Sequence, residues 1–100
     1  MVKHIIIWTL KDSFSAEEKI KIKDEAKQHL EALVGMIDGL VDLKIVTDLL
    51  ATSNGEMMLD STFTTKEALA AYATHPAHQA AADKYVRPFT ASRSCVDFEF

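Results

Sequence analysis

A chain of 100 residues supports one domain with a single core, expected here over residues 1–100. Its net charge of −4, without a Lys/Arg cluster, argues against nucleic acid as a partner. The lone cysteine, Cys95, excludes an internal disulfide, and the apolar run Ile5-Ile6-Ile7-Trp8 is too short for a signal or a membrane span, so a cytoplasmic protein without membrane attachment is expected.

Residues 2–10 are β-branched and aromatic, which predicts a strand. Ser15-Ala-Glu-Glu18 reads as a capping box, and the helix it opens carries Ile22, Ala26, Leu30, Leu33 and Ile37 at helical spacing. Gly35 and Gly39 offer stops, and His29 and the run Lys19-Ile-Lys21-Ile-Lys23 read as solvated helix surface. A second strand is expected from about Leu40 to Thr47 and a third from Met57 to Phe63, with a turn at Asn54-Gly55. Thr64-Thr-Lys-Glu67 reads as a second capping box that opens a short helix to about Ala73. Pro76 restarts a helix to about Tyr85, and Cys95–Phe100 alternates as a last strand. This order is βαββαβ, a ferredoxin-like α+β fold with a four-stranded antiparallel sheet and its helices on one face.

Strand parity points to a dimer. The first strand sets Ile5 and Ile7 on one face and His4, Ile6 and Trp8 on the other. The second sets Val41, Leu43 and Ile45 against Leu40 and Val46, and the last puts Val96, Phe98 and Phe100 on one side. Helices cover only one face of such a sheet. The apolar remainder, in a chain 48% hydrophobic, is expected to pack on a second copy, giving a homodimer through the open sheet face.

Tyr72-Ala-Thr-His75-Pro-Ala-His78 concentrates the candidate chemistry. With Pro76 as first helical residue, His78 falls in the first turn, where the positive end of the helix dipole disfavours an imidazolium. Tyr72 closes the preceding segment, close enough to share a cavity with His78. Asp97 has the parity of Cys95, opposite Val96 and Phe98, so it should face the helices and accept a bond from the second nitrogen of His78. Arg93 shares that parity and reads as a surface arginine, with an anionic group at a pocket mouth as the alternative within its reach. These residues also admit a structural reading, in which a buried imidazole and a packed tyrosine satisfy their polar atoms within the core. No metal is expected: His75-x-x-His78 has helical i,i+3 spacing, but Pro76 stands between them and no third ligand lies nearby.

The opening Val2-Lys-His-Ile-Ile6, the stretch Phe63-Thr-Thr-Lys-Glu-Ala-Leu-Ala-Ala-Tyr72, the step His75-Pro-Ala-His78 and the closing Val96-Asp-Phe-Glu99 resemble the stress-responsive A/B barrel (Dabb) domain over essentially the whole chain. The resemblance implies a dimeric α+β barrel and a stress-related role, in a family whose members mostly have no assigned activity. Its enzymatic members of the olivetolic acid cyclase type perform an aldol condensation without a cofactor. By that resemblance His78 matches a general base, Tyr72 a phenol that steadies a developing enolate, and His4 a histidine lining the pocket. Two departures stand out: Met57 replaces a further pocket histidine, and Ile22, Lys23 and Ala26 replace an aromatic-rich first helix. The expected pocket is bordered by His4, Trp8, Met57, Leu59, Phe89 and Cys95, and needs no cofactor. Three functions stay open: binding of a small carbonyl or aromatic ligand, a cofactor-free cyclase or lyase using His78, Tyr72 and Asp97, and a cofactor-independent monooxygenase. If Trp8, Met57, Leu59 and Phe89 fill the space between these groups, the structural reading holds; an open cavity favours a site.

Overall fold

In the computed structural model, which describes residues 1–100, the elements run β1 (Val2–Leu10), α1 (Ala16–Glu31), β2 (Leu40–Val46), β3 (Met57–Phe63), α2 (Lys66–Thr74), α3 (Pro76–Tyr85) and β4 (Thr90–Glu99). The strands form one antiparallel sheet in the order β2-β3-β1-β4. This is the expected ferredoxin-like α+β architecture, with its second helical stretch broken in two at Pro76. No helix is long and apolar enough to cross a membrane.

Local chemistry sets most boundaries. The Ser15 hydroxyl accepts from the Glu18 amide at 3.1 Å, and the Glu18 carboxylate accepts from the Ser15 amide at 2.8 Å, which completes the predicted capping box. Ile22, Ala26 and Leu30 are the buried stripe of α1; Leu33 and Ile37 are buried too, but in the turns beyond the helix. Gly39 has φ +83°, and a Cβ there would lie 2.5 Å from the Ala68 Cβ, so this turn accepts only glycine. Gly55 presses against the Ile7 side chain and lets the loop after β2 close over β1.

Several details depart from expectation. The cap of α2 is Thr65, whose hydroxyl accepts from the Ala68 amide at 3.1 Å, one residue later than predicted, so Glu67 has no reciprocal role. An irregularity between Leu40 and Asp42 puts Val41 outward, while Leu40, Leu43 and Ile45 share the helix side. β4 begins at Thr90, five residues before the predicted start. His29 is not simply solvated: its ring stacks on Tyr85 at 3.7 Å and joins α1 to α3. Lys19, within the run read as solvated, pairs with Glu56 at 2.9 Å.

The sheet has two unlike faces. On the helix side, register aligns Ser61, His4 and Asp97 in one row, Leu59, Ile6 and Cys95 in the next, and Met57, Trp8 and Arg93 in a third. The helices cover β1, β2 and β3 but leave β4 as an uncovered rim, so its residues beyond Thr90 are all exposed. On the other face lie Ile5, Ile7, Met58, Val96 and Phe98, with Val96 58% and Phe98 46% exposed. The core proper joins β1–β3 to α1 through side chains such as Leu30, Ile45, Met57 and Phe63, each contributing roughly 1.5–3 kcal/mol by burial.

Candidate functional site

Where α2 and α3 meet the β1–β4 rim, the helix side holds a cavity of about 370 Å³. Its apolar wall comes from residues such as Ile6, Trp8, Leu59 and Leu69, and its polar groups are His4, Tyr72, His78, Arg87, Thr90 and Arg93. The predicted trio is therefore only partly assembled here: Tyr72 and His78 line the cavity together, and Asp97 stands outside its wall.

The helix break does position the two rings. His75 ends α2 in extended backbone, and its Nδ1 accepts from the Ala77 amide at 3.1 Å as the cap of α3, with Pro76 as first helical residue. His78 then projects back over α2, its ring centroid 4.1 Å from that of Tyr72. Tyr72 packs edge-on against Phe63 at 5.0 Å and His4 at 6.2 Å. It is 1% exposed, and its hydroxyl is buried with no hydrogen-bond partner in the protein. Burial raises that phenol to a pKa of about 12, against a smaller lowering by Arg93.

His78 is half-buried, and burial is the main cause that depresses its pKa below 6.5. A contact of Nδ1 with the Ala73 carbonyl at 3.4 Å works the other way, while the charges of Arg87, His4 and Arg93 depress it further. With Nδ1 directed at that carbonyl, Nε2 is left as the acceptor of a neutral ring.

Asp97 has a different partner from the one expected. Its carboxylate takes His4 Nδ1 at 2.5 Å, not His78, because direct cross-strand pairing puts residues 4 and 97 opposite each other. Cys95 Sγ lies 3.7 Å from His4 Nδ1 and 3.5 Å from Asp97 Oδ1, so these three side chains form a cluster beside the cavity rather than on its wall. Burial and Asp97 together raise the Cys95 thiol above its usual range, which keeps it protonated.

Of the predicted lining, His4, Trp8 and Leu59 are on the cavity wall. Met57 is not: it is 0% exposed, in the core on the β3 side of Trp8. Phe89 is not either, since it packs edge-on against Phe14 at 5.7 Å near the start of β4. The space is thus not filled by Trp8, Met57, Leu59 and Phe89. Sequence reasoning missed Leu69, Val86 and Arg87 as lining; Leu69 lies three residues before Tyr72 on one helix, a spacing that could have found it.

A family model described as the stress responsive A/B barrel domain, Dabb, matches residues 2–100. A dimeric protein of unknown function with a ferredoxin-like fold from Bacteroides fragilis is 33% identical, with 99% of this chain and 95% of that one covered and a TM-score of 0.90. An Arabidopsis thaliana protein is 25% identical over 99% of this chain and 94% of its own, with a TM-score of 0.79. Hydroxynitrile lyase from Passiflora edulis, at 19% identity, covers 97% of this chain and 90% of its own at a TM-score of 0.76, a likeness of fold alone. No curated protein matches the chain.

Proposed function

The chain belongs to the stress-responsive A/B barrel (Dabb) domain family, and within it we propose a homodimer whose helix-side cavity binds a small carbonyl or aromatic compound. The observation that carries this reading is the Tyr72 hydroxyl, buried beside the cavity with no protein partner. An unpaired buried hydroxyl costs about 1–3 kcal/mol, and a carbonyl oxygen that accepts from it recovers much of that cost. With its pKa at about 12, the phenol stays a donor throughout the neutral range. Ile6, Trp8 and Leu59 take the apolar part of the ligand.

A second reading, a cofactor-free lyase or cyclase, is favoured by the neutral His78 ring against Tyr72. In that reading His78 Nε2 takes a proton from the carbon next to the carbonyl, and the resulting enolate oxygen accepts from the Tyr72 hydroxyl. Asp97 serves His4 in this arrangement, fixing its Nδ1 and turning its other nitrogen to the cavity. The dimer forms through the open sheet face, where Ile5, Ile7, Met58, Val96 and Phe98 make an apolar patch that a second copy covers sheet to sheet.

Titration of labelled protein with acetophenone tests the site. The reading requires shifts of the Tyr72 and His78 ring resonances; shifts confined to open-face residues would remove it. Exchange of the acetophenone methyl protons in heavy water tests the second reading. Exchange faster than buffer and lost in His78→Gln supports catalysis, whereas equal rates leave binding alone.

A further inference from the structure

We propose that the ligand of this cavity carries a carboxylate, and that Arg93 is the residue that recognises it. This rests on the reading of the cavity as a binding site and adds the class of compound it takes. Arg93 lies on β4 opposite Trp8 and lines the cavity from the rim that the helices leave uncovered.

The cationic side chains around the cavity have carboxylate partners, Arg93 excepted. Arg87 is held by Asp83 at 2.5 Å and by Gln79 at 2.9 Å, both on α3. His4 is held by Asp97. Lys3, Lys19 and Lys27 pair with Asp60, Glu56 and Glu31. No carboxylate pairs with Arg93. Asp97, the acidic group nearest along its strand, is four residues away, roughly 13 Å along the backbone at 3.3 Å per residue. The Cys95 thiol stands between the two and interacts with both, and the Asp97 carboxylate is taken by His4.

The charge of Arg93 reaches the cavity, where it lowers both the Tyr72 phenol and the His78 imidazolium. A guanidinium presents two parallel N–H groups that fit a carboxylate, and the pair gains strength at an apolar wall that keeps water away. The Tyr72 hydroxyl is an independent second point, closed from solvent and without a partner. One anionic group at Arg93 and one neutral oxygen at Tyr72 describe a keto or hydroxy acid with an apolar body against Ile6, Trp8 and Leu59. A phosphate dianion fits less well, because only one cation is free and His78 is kept neutral.

The test compares 3-benzoylpropionate with its methyl ester by calorimetry on the wild-type protein, Arg93→Met and Arg93→Lys. The acid should bind wild type roughly 10-fold or more tighter than the ester, the scale of a hydrogen bond to a charged group. Arg93→Met should erase that preference by weakening the acid to about the affinity of the ester, and Arg93→Lys should keep part of it. Bound acid should also raise the His78 pKa seen by NMR, because its charge opposes that of Arg93. Equal binding of acid and ester to wild type, or equal loss of both in Arg93→Met, overturns the carboxylate assignment and spares the cavity. Failure of both compounds to bind wild type overturns the cavity reading and this inference with it.

Discussion

Replacing Tyr72 with phenylalanine should leave the free protein as stable as before or more stable, while weakening the ligand complex. The hydroxyl is buried and unpaired, so its removal deletes a desolvation cost of about 1–3 kcal/mol and no protein hydrogen bond. The ring keeps its contacts with Phe63 and His4, so no cavity opens. A gain of about 1 kcal/mol corresponds to a rise in Tm of roughly 4–8 °C in a domain of this size. A hydrogen-bonded tyrosine would instead lose about 0.5–1.5 kcal/mol, so the sign decides. Alkaline pH gives a second reading of the same residue. The native phenol sits at about 12, above its unfolded value of 10.0, so its contribution is complete below pH 10 and is lost as pH rises through 12. That step is on the order of 3 kcal/mol at 1.36 kcal/mol per unit, and it should vanish in Tyr72→Phe. Urea denaturation at fixed protein concentration, at neutral and at alkaline pH, measures both effects, and calorimetry with acetophenone should show roughly 2- to 10-fold weaker binding. A loss of about 0.5 kcal/mol or more at neutral pH would show that the hydroxyl is bonded inside the protein and not free for a ligand.

His78 has its native pKa below 6.5, so the unfolded chain binds the proton first on acidification. Stability should therefore fall as pH drops from 6.5 through the depressed native value, and denaturation of His78→Gln across this window should show a flatter profile. Asp97→Asn should move the imidazole signals of His4 and leave the His78 titration in place; the opposite pattern would restore the pairing expected from parity. Phe98→Glu places a charge in the open-face patch and should shift the light-scattering mass from dimer to monomer without unfolding the chain. Gly39→Ala should cost at least about 1 kcal/mol in thermal denaturation, through both the positive φ and the collision with Ala68.

The fold was readable because its signals are local and repeat. Ile22, Ala26 and Leu30 at helical spacing, the Ser15–Glu18 box and Pro76 each act through neighbours a few residues away. What failed depends on pairing between distant segments. The irregularity at Leu40–Asp42 breaks the strict alternation that put Val41 with Leu43. Parity correctly turned Asp97 toward the helix side, but only register could show that His4 lies directly opposite and takes the carboxylate before His78 can. The extent of helix cover was equally hidden. With β4 left as a rim, Arg93 borders a cavity rather than ordinary surface, and Met57 and Phe89 fall outside it.

Whether the cavity is a ligand site is decided by a crystal structure of the protein soaked with 3-benzoylpropionate. The ketone oxygen is expected within about 2.7–3.0 Å of the Tyr72 hydroxyl and the aryl group against Trp8 and Leu59. Electron density for the compound on the open sheet face alone, with the Tyr72 hydroxyl still unpaired, would contradict that site.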